Sequence, residues 1–132
     1  GVWREWETGR TVAFDPIFAK DTPLPGPSEP PLVHVRRYCP VHNIGHFRYL
    51  ECSGVGSDGQ PQGDVTPWDA IQFPLDPALA SQDDLDDQTV KVWPQGHDQI
   101  IEEHYACDAN GMIEVTICNQ SAGYQRRFQL RG

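Results

Sequence analysis

Cys39, His42, His46 and Cys52 come closest in this chain to a chemical site by residue type and spacing. Thiolate and imidazole donors at x2, x3 and x5 intervals are ligands that a tetrahedral zinc ion takes. No CxxC knuckle accompanies them, and Cys39 and Cys52 fall on opposite arms of an expected hairpin, where they need not approach each other. Packed strand cysteines and polar turn histidines are the better reading, and no metal is expected. His104 and Cys107 fare no better, because strand alternation puts them on opposite faces.

Glu102 and Glu103 invite an acid–base pair for hydrolysis. Adjacent strand residues point to opposite faces, so the two cannot share a substrate. Asp83, Asp84, Asp86 and Asp87 lie in a polar stretch, Ala78 to Gln88, that reads as a mobile surface loop. Nothing resembles a nucleophile elbow, a Gly-rich phosphate loop or a zinc-protease helix. No catalytic residue is assigned and no enzyme is expected. Four tryptophans remain. Trp3 and Trp6 cannot both be buried on one face of a strand, and Trp6 is the one expected to be exposed, where it could clamp a peptide or stack on a sugar. Trp68 and Trp93 read as packing residues.

Elements must position these side chains, and the clearest runs from Ile101 to Ile117. Two alternating stretches flank Asp108, Ala109, Asn110 and Gly111, and Asn-Gly tolerates the positive φ of a tight hairpin turn. Ile101, Tyr105 and Cys107 share one face of the first arm; Ile113, Val115 and Ile117 share one face of the second. Glu102, His104, Glu114 and Thr116 take the opposite faces. The spacing predicts a half-buried antiparallel hairpin in which Cys107 and Cys118 do not meet. Free, buried thiols in a reducing compartment follow.

Twelve prolines and twelve glycines in 132 residues favour short strands and turns, and no apolar stripe at helical spacing is present. Further strands are expected at Val2 to Trp6, Thr11 to Ala19, Leu32 to Pro40, His46 to Cys52, Ala70 to Leu75 and Tyr124 to Arg131, with a minor one at Val90 to Trp93. Pro23 to Pro31 and Ser53 to Pro67 read as loops. The expectation is one all-β domain over residues 1–132, an antiparallel β-sandwich of about eight short strands with little or no helix. A net charge of −9 argues against nucleic acid, and no apolar run approaches a membrane span. No export leader is present, so a cytoplasmic location is expected; Gly1 in place of Met is expected of a fragment of a longer chain.

Tyr105-Ala-Cys-Asp-Ala-Asn-Gly-Met-Ile-Glu-Val115 resembles the late hairpin of the substrate-binding β-domain in the 70-kDa heat-shock chaperones. Ile17-Phe-Ala-Lys-Asp-Thr-Pro-Leu-Pro25 resembles an earlier segment of that domain, and the order of the two words agrees. The resemblance implies a peptide-binding module in which an extended client threads between two loops, held by backbone hydrogen bonds, with one apolar side chain in a central pocket. Position by position, Glu5, Trp6 and Glu7 match the first cleft loop and Cys39, Pro40 and Val41 the second. Phe47 and Tyr49 match the strand that floors the pocket. The family usually carries a small aliphatic residue in place of Phe47, and a phenyl ring there shrinks or fills the pocket. The family's ATPase and helical lid are absent from these residues, so ATP enters only if an ATPase domain precedes Gly1 in the parent protein. Extended polypeptide is the expected partner. The alternatives are a structural or docking domain that has lost client binding, and a carbohydrate-binding sandwich.

Overall fold

The computed structural model describes residues 1–5, 12–19, 22–82 and 84–131, with the side chains of Arg4, Glu5, Val12 and Ala13 left aside. Among the described residues eight strands form: β1 Val2–Glu5, β2 Val12–Asp15, β3 Leu32–Tyr38, β4 Ile44–Val55, β5 Pro61–Pro74, β6 Ile101–Cys107, β7 Ile113–Asn119 and β8 Tyr124–Leu130. They make two four-stranded antiparallel sheets, ordered β2-β1-β4-β5 and β3-β6-β7-β8. The expected sandwich is what forms. Helical structure among the described residues is limited to two short 3-10 turns, Pro77–Leu79 and Pro94–Asp98, and no helix there is long and apolar enough to cross a membrane.

Alternation explains the core. Val2, Phe47, Tyr49 and Phe73 of one sheet meet Ile101, Tyr105, Val115, Ile117 and Leu130 of the other. Fully burying each such side chain contributes roughly 1.5–3 kcal/mol. At the edge, Arg36 on β3 makes a forked pair with Asp15 on β2, at 2.9 and 3.3 Å, joining the two sheets. The hairpin between β6 and β7 closes as its sequence predicts, with Cys107 opposite Ile113 and Cys118 opposite Glu102. Only Gly111 takes positive φ in that turn, at 78°. The Asp108 carboxylate accepts from the amides of Asn110 and Met112, so Asn110 keeps an ordinary φ.

Three expectations need correction. The strands on which Cys39 and Cys52 were placed form no hairpin: β3, which ends just before Cys39, pairs with β6, and β4, which carries Cys52, pairs with β5, in different sheets. Ser53 to Pro67 is no loop: β4 and β5 continue as a ribbon that pairs Cys52 with Val65 and Val55 with Pro61. Its residues are mostly exposed, so no apolar alternation marks it, and two register shifts take up the extra residues on β5. The described residues of Ala78 to Gln88 are more than a solvated loop, since Leu85 is buried and Arg126 donates to the carbonyls of Ala80 and Gln82.

Tyr124 couples β8 to the end of β5. Its hydroxyl donates to the carbonyls of Pro74 and Leu75, and its ring stacks on Phe73 at 5.7 Å. Burial pushes the phenol up from 10.0 to about 12. The unfolded chain therefore loses this proton first, so the stability it contributes is intact below pH 10 and is lost as pH rises toward about 12. Alkaline unfolding followed by circular dichroism should show that loss, and Tyr124→Phe should flatten it. An unchanged slope in the variant would assign the loss to another group.

Candidate functional site

Cys39, Pro40 and Val41 lie in the connection that carries the chain from β3 in one sheet to β4 in the other. Pro40 is buried, and Gly96 packs so closely that a Cβ there would stand 2.3 Å from the Pro40 carbonyl oxygen. The loop is held by Asn43, which is 4% exposed. Its carbonyl accepts from the amides of Leu75 and Asp76, both at 2.9 Å. Its own amide donates to the Lys91 carbonyl at 3.1 Å, and the Trp93 amide donates to Val41 at 2.7 Å. Val90 to Trp93, expected as a minor strand, is thus reduced to an isolated antiparallel bridge between Val92 and His42.

Phe47 and Tyr49 point into the sandwich and are 2% and 5% exposed. The Phe47 ring lies over Gly45, where an added Cβ would come within 2.6 Å of it. Only a cavity of about 20 Å³ remains between this ring, Leu75 and the 39–42 loop, room for about one water molecule. Tyr49 reaches the opposite sheet: its hydroxyl lies 2.9 Å from that of Tyr105, which donates to Glu103 at 2.5 Å. Tyr38 donates to the second oxygen of the same carboxylate. Glu103 is fully buried, a core position that assigning faces by hydrophobicity overlooks.

Glu5 ends β1; Trp6 and Glu7 lie outside the described residues. Pairing of Val2 with Tyr49 and Trp3 with Arg48 runs β1 antiparallel to β4. The C-terminal end of β1 therefore stands at the sandwich end where β4 begins, beside the 39–43 connection. Of the other tryptophans, Trp68 and Trp93 pack on the core and Trp3 lies 5.5 Å from the Phe14 ring.

The chemical candidates separate. Cys39, His42 and His46 border the small cavity, whereas Cys52 borders a different one. No three His, Cys, Asp or Glu side chains gather as a cation site among the described residues. Glu102 and Glu103 do face opposite ways: Glu102 bonds Arg37 and His104 on the outer face, and the Arg37 hydrogen bonds hold its carboxyl below the usual range. Burial pushes the thiols of Cys107 and Cys118 up, which disfavours reactive thiolate.

A cavity of about 620 Å³ opens at the other end of the sandwich, between the ribbon at Cys52 to Val55, residues Pro16 to Ala19 with Thr22 and Leu24, and the Gly111 turn. Tyr49, Tyr105 and Leu130 floor it, and Glu51 is the one charged residue lining it among the described residues. Sequence reading missed it because the ribbon residues Ser53 to Val55 that wall it read as a loop. The chain matches no family model, no curated protein and no solved structure.

Proposed function

We propose that this chain is a non-catalytic peptide-binding module, similar to the substrate-binding β-domain of heat-shock chaperones, that takes extended apolar polypeptide. The observation that carries this is the antiparallel pairing of β1 with β4, which brings the end of β1 and the 39–43 connection to one end of the sandwich, above Phe47. An extended guest there would be held through main-chain groups, and the resemblance assigns Trp6 to the first of the two cleft loops. A fluorescent Leu-rich heptapeptide should bind saturably, and Trp6→Ala should weaken it several-fold. No saturable binding by either protein would remove the proposal.

A second reading, a docking domain that has lost its clients, is favoured by the Phe47 ring, which leaves only about 20 Å³ in the pocket. It expects no peptide binding until that ring is shortened. A carbohydrate platform needs at least two exposed aromatics on one flat face; Trp3, Trp68 and Trp93 are each half-buried.

A further inference from the structure

Asn43 and Val41 treat residues 89–93 as one strand treats another. The Asn43 side-chain amide donates to the Thr89 carbonyl at 3.0 Å and accepts from the Lys91 amide at 2.9 Å. Its backbone amide reaches the Lys91 carbonyl at 3.1 Å, and the Val41 carbonyl takes the Trp93 amide at 2.7 Å. All four bonds run to the main chain of the segment. A carboxamide carries the same donor and acceptor as a peptide group, so Asn43 extends the pairing by one further peptide without reading sequence.

Residues 89–92 of the segment that fills this place are exposed. Val90 and Val92 are 39% and 61% exposed, so they add little apolar burial. Its anchors lie at the ends, at buried Leu85 and at Trp93 packed on the core. Between those anchors the segment can lift without opening the sandwich, as expected where few apolar contacts back the hydrogen bonds.

We propose that Val41 and Asn43 form a main-chain-reading site whose internal occupant is the main chain of Thr89–Trp93, and that an extended polypeptide segment binds there by displacing that main chain while the Trp93 ring stays packed on the core. This rests on the peptide-binding reading and deepens it: the ligand is any strand-forming segment with free N–H and C=O groups, and its side chains matter less than its backbone. Self-occupancy then sets the affinity, because a client must compete with residues tethered beside the site.

The test locks and unlocks the occupant. His42 and Val92 form a non-hydrogen-bonded antiparallel pair, in which side chains stand close enough to join. His42→Cys with Val92→Cys, in a Cys39→Ser background that removes the neighbouring thiol, should form a disulfide that holds the segment down. The labelled Leu-rich heptapeptide should bind at least tenfold more weakly to the oxidised protein than to the reduced one. Lys91→Pro, which removes one donor from the occupant, should bind more tightly than the parent. A backbone N-methylated copy of the peptide should not bind. Equal affinity in oxidised, reduced and Lys91→Pro proteins would overturn the displacement while leaving peptide binding intact. Absence of binding in every form, with amide exchange showing the Trp93 amide released in Lys91→Pro, would overturn the peptide-binding reading as well.

Discussion

Glu103→Ala should lower the folding stability by about 3 kcal/mol, because the buried Tyr105 hydroxyl and the part-buried Tyr38 hydroxyl lose this acceptor, at about 1–3 kcal/mol for a buried group, while a cavity opens between the sheets. The carboxylate is fully buried and takes the Tyr105 hydroxyl at 2.5 Å and that of Tyr38. Tyr105 in turn lies 2.9 Å from the Tyr49 hydroxyl, so the loss spreads to a residue on the facing sheet. Glu103→Gln keeps one acceptor oxygen but turns an N–H₂ toward the second tyrosine, and a smaller loss of about 1–2 kcal/mol is expected. Urea unfolding of both variants measures this directly. A Glu103→Ala midpoint indistinguishable from the parent would mean the tyrosines do not depend on this carboxylate.

A cycle with Tyr105→Phe separates packing from hydrogen bonding. If the Tyr105–Glu103 bond carries the effect, the two substitutions together should cost clearly less than their sum. Strict additivity would assign the loss to the cavity alone. Tyr49 lines the large cavity as well as joining the hydroxyl chain.

Glu103 also marks where sequence reading stops. Period-two alternation places Ile101, Tyr105 and Cys107 on the core face, and Glu103 shares that face by the same count. A carboxylate there reads as an error unless its partners are known, and Tyr38 is 65 residues away in sequence. The β6–β7 hairpin was legible because its signals are local: alternation on both arms and a Gly at the left-handed turn position. The ribbon at residues 53–67 was not, because its main-chain ladder needs no apolar side chains to form. Pro61, Pro67 and Pro74 all sit in β5, which is a sheet edge, where a missing N–H can face away from the partner.

The candidate site was legible to a similar depth. Alternation with Tyr49 puts Phe47 inward, and it is inward. Cys39 to Val41 do form the connection between β3 and β4. Their partner segment at residues 89–93 could not be anticipated, because nothing in two polar stretches nearly fifty residues apart announces that their backbones will pair. Glu7 and Trp6 lie outside the described residues, so their part rests on the match of motifs.

Phe47→Ala should cost about 3–5 kcal/mol and Phe47→Val about 2–3 kcal/mol, the usual range for emptying a packed aromatic site. The ring is 2% exposed and within contact distance of a side chain placed at Gly45. That contact supplies a sharper check than stability alone. Gly45→Ala in the parent would push a methyl to within 2.6 Å of the ring and should destabilise, whereas in Phe47→Val the same methyl enters vacated space. The pair should therefore be non-additive, with Gly45→Ala close to neutral or stabilising in the smaller-residue background. The enlarged cavity then decides between the two functional readings. If the ring is a plug, Phe47→Val should bind the Leu-rich heptapeptide where the parent does not; if clients already bind through the loops, the gain should be slight. A variant that loses almost no stability and shows no change in binding would mean that the ring neither fills the core nor guards a pocket.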